Sequence, residues 1–143
     1  SMGTTIVEVH GQAQFRGLDL RGLFAHASVD NAGAASAALG LASGKPIADE
    51  LRGGYLQVGY NFLSQVDSPI ASLMPYVRLE KVDTQHRVPT GFTRDLSRNG
   101  TYKTFGVELK PINNVALKAE YAVITNALGS GRNQFNLNLG YAF

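Results

Sequence analysis

Apolar and polar residues alternate without a break over positions 134–143, where Phe135, Leu137, Leu139, Tyr141 and Phe143 interleave with Gln134, Asn136, Asn138, Gly140 and Ala142. A period of two puts the two sets on opposite faces of one strand. A strand with unlike faces belongs to an antiparallel sheet with different surroundings on its two sides. Reading towards the amino end, amphipathic runs recur at residues 115–123, 101–111, 73–84, 51–63, 18–29 and 4–16. Each is about the 9–11 residues a tilted strand needs to cross a bilayer, or slightly longer. Leu56, Val58, Tyr60 and Phe62 oppose Tyr55, Gln57, Gly59 and Asn61, while Phe105, Val107 and Leu109 oppose Thr104, Gly106, Glu108 and Lys110. The first two runs are less regular, and His26 interrupts the apolar side of the second.

The connections alternate in length. Short links are expected around Gly17, at 64–72 and at Asn113-Asn114, a dipeptide that tolerates positive φ and reads as a tight hairpin turn. Longer ones cover 30–50, 85–99 and 127–133, and the Ala-rich stretch 34–42 is predicted to be a short helix. Outer-membrane barrels show this asymmetry, with short periplasmic turns and longer extracellular loops. Seven crossings are an odd number, whereas bacterial single-chain barrels usually have an even one. Either a further strand lies within 30–50, or these residues form the carboxy-terminal part of a larger barrel.

Composition narrows the choice. The chain has 143 residues, the length of one domain, and no cysteine, which excludes disulfides and thiolate metal sites. Mean hydropathy is −0.07, and no stretch approaches the roughly 20 apolar residues of a membrane helix. Spanning strands remain compatible with that average, because interior polar residues offset lipid-facing apolar ones. A net charge of +2 is too slight to argue for nucleic acid. Ser1, Met2 and Gly3 read as a cloning scar, with residues 4–143 as a single β-barrel domain or barrel segment.

The expected fold is therefore all-β, an antiparallel up-and-down transmembrane β-barrel of about eight strands if closed alone, or a segment of a larger porin barrel. Small residues on the charged faces and aromatic residues near strand ends put the charges inside. Val77, Leu79, Phe105, Val107, Leu117, Tyr121, Leu137 and Leu139 are then expected to face lipid. The candidate lumen-facing groups are Glu8, His10, Arg16, Asp19, Arg21, Arg78, Glu80, Glu108, Lys110, Lys118 and Glu120, acidic and basic residues in balance. In a narrow barrel they would cross-pair, Arg78 and Lys118 with Glu80 and Glu120, into a plug with no transport and a structural or binding role. In a wide barrel they would line water.

No catalytic, cofactor or metal site is expected, and the reading is not an enzyme. Glu8 and His10 share a face but lack further ligands, His26 and His86 are isolated, and Gly129-Ser130-Gly131 is a loop tip without a nucleophile-elbow pattern. Arg94, Asp95 and Arg98 offer loop charges that could hold an anion or a lipopolysaccharide phosphate, and Lys103 snorkels from the rim of the apolar face.

The aromatic pair Tyr141 and Phe143 resembles the carboxy-terminal assembly signal of bacterial outer-membrane β-barrels. Residues 75–80 (PYVRLE), 88–95 (VPTGFTRD), 110–115 (KPINNV) and 134–141 (QFNLNLGY) look like the carboxy-terminal part of porins of the phosphate-selective O and P type. Residues 16–23 and 53–55 match more loosely. Members of that family are much longer, trimeric barrels of about sixteen or eighteen strands, with a ladder of arginine and lysine along the pore on segments without a counterpart here. The resemblance implies a bacterial outer-membrane location, passive diffusion of small hydrophilic solutes or anions, and self-association into homo-oligomers. The partners it implies are outer-membrane lipid, lipopolysaccharide and the barrel-assembly machinery.

Overall fold

The computed structural model describes residues 1–142, so the expected signal residue Phe143 lies outside the described residues. Seven strands, β1 (Thr4–Phe15), β2 (Leu18–Val29), β3 (Glu50–Tyr60), β4 (Ser72–Arg87), β5 (Asn99–Lys110), β6 (Val115–Asn126) and β7 (Gly131–Tyr141), form one antiparallel sheet in the order β1-β2-β3-β4-β5-β6-β7. The fold is all-β and up-and-down, with each strand beside its neighbours in sequence. Among the described residues β1 and β7 do not pair, so the sheet is open and has seven strands, not the eight of a barrel closed on itself.

The link between β2 and β3 holds no strand that would make the count even. It forms a short helix, α1 (Ala32–Ala38), earlier and shorter than the Ala-rich stretch suggests. Gly40, at φ 60°, stops it, and the Leu39 and Gly40 amides bond back to the carbonyls of Ala35 and Ala37. Strand β4 outruns its alternating pattern by continuing to Arg87, whose carbonyl accepts the Asp49 amide at 2.9 Å.

The links 16–17, 61–71 and 111–114 lie at one end of the sheet, the short-turn end, and 30–49, 88–98 and 127–130 at the other, the long-loop end. The expected asymmetry holds for the first two links only, because 61–71 is as long as 88–98 and 127–130 is as short as 111–114. Arg16 (φ 48°) and Gly17 (φ 88°) both occupy the left-handed region and form a two-residue hairpin loop between the paired residues Phe15 and Leu18. A Cβ on Gly17 would also stand 2.8 Å from the Asn61 carbonyl, whose own amide donates to Gly17 O at 2.7 Å. Glycine is required there twice over. Asn113-Asn114 is not the tight positive-φ turn its sequence suggests: neither residue has positive φ, and the link spans 111–114 with Val115 N bonded to Ile112 O at 3.1 Å.

Burial runs opposite to that of a soluble sheet. Asp19, Gln57, Thr104 and Glu108 are buried, whereas Val77, Leu79, Phe105, Val107, Leu117, Tyr121, Leu137 and Leu139 are all exposed. The few buried apolar residues, Ala32, Ala48, Met74, Tyr76 and Ala122, do not make a continuous core. The charged face is the concave one: residues of β1, β2, β4 and β5, among them Gln14, Arg21, Met74 and Glu108, surround a common cavity of about 340 Å³.

Candidate functional site

The register sets the charged face. Arg21 stands opposite Gln12 and Gln57, Arg78 opposite Gln57 and Thr104, Glu108 opposite Met74 and Lys118, and Glu120 opposite Gly106 and Asn136. Residues two apart along each strand share this face, so the alternation carries polar groups of all seven adjoining strands onto one surface.

Three carboxylates organise it. Asp19, 2% exposed, accepts from Gln12 at 2.9 Å, from Gln14 at 2.5 Å and from Arg21 Nε at 2.7 Å. Glu108, 5% exposed, lies 3.0 Å from Lys118 Nζ and 3.5 Å from Lys110 Nζ. Glu120 accepts from the Tyr76 hydroxyl, from Arg78 at 3.4 Å and from Asn138 at 3.4 Å. Arg78 also stands 4.0 Å from Glu80 and lies over the Tyr55 ring at 5.9 Å. Asp19 and Glu108 are buried and Glu120 is half-buried; carboxylates withdrawn from water survive folding when several donors replace it, and each of these has them.

The expected cross-pairing is met for Arg78 with Glu80 and Glu120, while Lys118 pairs with Glu108 instead. Arg16 departs from its assignment as a strand residue facing the lumen: it sits in the β1–β2 turn, with its guanidinium 5.3 Å from the Phe15 ring centroid. Glu8 and His10 bond each other at 2.7 Å on the exposed strand β1, apart from the three clusters. The structure thus brings together Asp19 with Arg21, Arg78 with Glu80 and Glu120, and Glu108 with Lys110 and Lys118.

Tyr76 is absent from the residues singled out by charge. Its ring lies across Gly106, where a Cβ would collide with it, and its own Cβ stands 3.1 Å from the place a Gly59 Cβ would occupy. The sequence signal is a large residue on a polar face whose register partners on both sides, Gly59 and Gly106, are glycine. Only the paired strands reveal it.

At the long-loop end the loop charges are already engaged. Arg94 donates to Asp83 at 2.6 Å and to the Gln85 carbonyl at 2.6 Å, so it is not a free anion ligand. Asp95 caps the 3-10 turn Leu96–Arg98 through the Ser97 amide at 2.9 Å and lies 3.7 Å from Arg98. Bonds from the Ser97 hydroxyl and amide hold the Asp95 carboxyl below the ordinary aspartate range. The same loop meets the β2–β3 link where Thr93 N donates to Ser43 O at 2.9 Å, which fixes the two long links against each other.

An uncharacterized protein of Aquifex aeolicus (strain VF5) is 32% identical over 113 residues, which is 76% of this chain and 26% of that protein. The chain thus spans about a quarter of that relative's length. No family model matches the chain. No solved structure matches it either.

Proposed function

We propose that the chain is a wall segment of a porin-like barrel in a bacterial outer membrane, its charged concave face lining a passage for small hydrophilic solutes or anions. The observation that carries this reading is the inversion of the two faces: Glu108 is 5% exposed while Leu137 on the other side is 74% exposed. In water that arrangement leaves a broad apolar surface uncovered, which soluble monomers rarely do. In a bilayer each outward Leu or Phe leaves water and gains about 1.5–3 kcal/mol. Two further facts support a segment over a closed unit. Both β1 and β7 offer unpaired edges, and the Aquifex relative extends far beyond the matched region.

The mutual pairing around Asp19, Glu108 and Glu120 favours a second reading, in which the chain closes on itself and its side chains fill the interior. Planar-bilayer recording separates the two. A wall segment gives steady conductance only with the strands of a longer parent, whereas a self-closing plug gives a folded, heat-modifiable chain without conductance in either form. A sharp, detergent-free monomer with no gel shift between unheated and heated samples would overturn both.

A further inference from the structure

The outer face is not uniformly apolar, and its charges lie at one end. In the register of β3, β4 and β5, Arg52 faces Asp83 and Lys81 faces Gly54, so Arg52 and Lys81 are diagonal neighbours. Lys81 faces Thr101 and Lys103 faces Leu79, which makes Lys81 and Lys103 diagonal neighbours as well. The three cations form a slanting row across adjoining strands, all on the outward side and at the long-loop end. Immediately beyond them, towards the short turns, the same face carries Leu56, Leu79 and Phe105, all exposed.

Little on the protein neutralises this row. Lys81 donates only to the Thr101 hydroxyl, at 3.3 Å, and Lys103 has no ionic partner among the described residues. The neighbouring carboxylates are engaged elsewhere: Asp83 holds Arg94 at 2.6 Å, and Glu50 holds Arg87 at 2.7 Å with Arg52 more distant at 3.5 Å. Beside the row lies a groove of about 430 Å³, bordered by Phe24, Arg52, Lys81, Asp83, Arg94 and Asn99. Gly54 keeps it open, because a side chain there would run into the Leu23 carbonyl at 2.7 Å and the Phe24 ring at 3.4 Å.

We propose that Arg52, Lys81 and Lys103 form a binding site for the phosphate-bearing headgroup of an anionic lipid, with its acyl chains lying along Leu56, Leu79 and Phe105. The proposal rests on the reading of the sheet as membrane-spanning and names one of its lipid partners. Charge complementarity chooses the headgroup: Lys81 and Lys103, without counter-ions among the described residues, and Arg52, held only at 3.5 Å by a Glu50 that Arg87 shares, stand where an apolar belt ends and match phosphates at a membrane surface. The continuity of the row with the belt favours a lipid over a free anion. The row is also one-sided, since at the short-turn end of the same face Leu18, Tyr60, Leu73 and Leu109 carry no charge. Cations placed for general snorkelling would serve both membrane surfaces.

The test uses the whole chain refolded in zwitterionic phosphatidylcholine and examined by native mass spectrometry with added phosphatidylglycerol, diphosphorylated lipid A or inorganic phosphate. The two anionic lipids should be retained about tenfold over phosphatidylcholine, in a salt-sensitive way, and the triple variant R52Q/K81Q/K103Q should lose that preference. Arg132→Gln, which removes one positive charge elsewhere, should keep it. A triple variant that retains the preference overturns the proposal, as does inorganic phosphate bound as well as the lipids. Failure of the unmodified chain to fold in phosphatidylcholine, seen as no heat-dependent gel shift, counts against membrane residence itself. A folded chain with no lipid preference counts against this site alone.

Discussion

Glu108 and Asp83 are buried to the same depth, 5% and 6% exposed, yet on opposite faces of the sheet and for different reasons. Glu108 belongs to the concave face, and the curvature of the sheet covers it. Lys118, which stands opposite it in the β5–β6 register, and Lys110, two residues along the same strand, neutralise it. Asp83 has the parity of the outward face, beyond Leu79 and Lys81, and the link between β4 and β5 folds back over it with Arg94 and the backbone near Gln85. One burial follows from a period of two. The other follows from where a loop goes. A carboxylate on an outward face is tolerable only where a loop brings it a cation, so the Asp83–Arg94 pair marks where the apolar belt stops.

The comparison depends first on the two faces having opposite surroundings, and the largest expected effect tests that. Val77 lies on the outward face between Val58 and Phe105 in the register, well inside the belt. Arg at this position should cost about 2–4 kcal/mol in refolding titrations into vesicles, whereas Asn136→Arg on the opposite face should cost less. The reverse ranking would mean that the sheet is inside out. Next in size is Glu108→Ala, which strands two lysines that now share a carboxylate. Breaking a fully buried pair costs more, but both lysine side chains are more than a third exposed, so a loss of roughly 2 kcal/mol is expected. Adding Lys118→Ala should recover part of it, and strict additivity of the two losses would show that the pair is not coupled.

Asp83→Asn probes the other side of the comparison. It removes the charge partner of Arg94, whose side chain is 37% exposed, so the cost should be near 1 kcal/mol after allowance for solvent. The loss should be local. Hydrogen exchange should speed up across residues 88–98 while the amides of β5 and β6 keep their protection. If Asp83→Asn destabilises the strands as much as Glu108→Ala does, the distinction between sheet-made and loop-made burial fails.

The same distinction decides what was legible in the sequence. Strand order, the seven strands and the faces of Val77, Leu79, Glu108 and Lys118 are set by alternation, a local property that strand pairing preserves. The pairing of Arg78 with Glu80 and Glu120 follows once neighbouring strands are aligned. Tyr76 was hidden because its packing depends on glycines about seventeen residues before it and thirty after it, Gly59 and Gly106, that meet only across the ladder. Arg94 was hidden more deeply, since a loop charge reads as solvated until the loop's path is known. The edge position of β1 shows why residues 4–16 looked irregular: β1 is exposed along its whole length and pairs with β2 alone among the described residues, so apart from Gln12 and Gln14, which bond Asp19, little packing holds its faces to strict alternation.

The smallest effect lies furthest from the strands, at Asp95, where the long loop begins its 3-10 turn. Its carboxyl is held below the ordinary aspartate value of 3.8, first by the bond from the Ser97 hydroxyl and then by the Ser97 amide. A carboxyl whose folded value is depressed stabilises the folded form at pH above its unfolded value and loses that contribution as pH falls through the folded one. The turn Leu96–Arg98 should therefore be intact at neutral pH and loosen only in acid, below the ordinary aspartate range, with Arg98 released at the same step. The Ser97 amide resonance, or its hydrogen exchange compared at a common exchange rate, follows the transition. Asp95→Asn keeps an oxygen able to accept from Ser97 but cannot ionise, so the turn should persist while its response to acid disappears. An acid response that survives in Asp95→Asn would place the titrating group outside Asp95 and overturn this account of the turn.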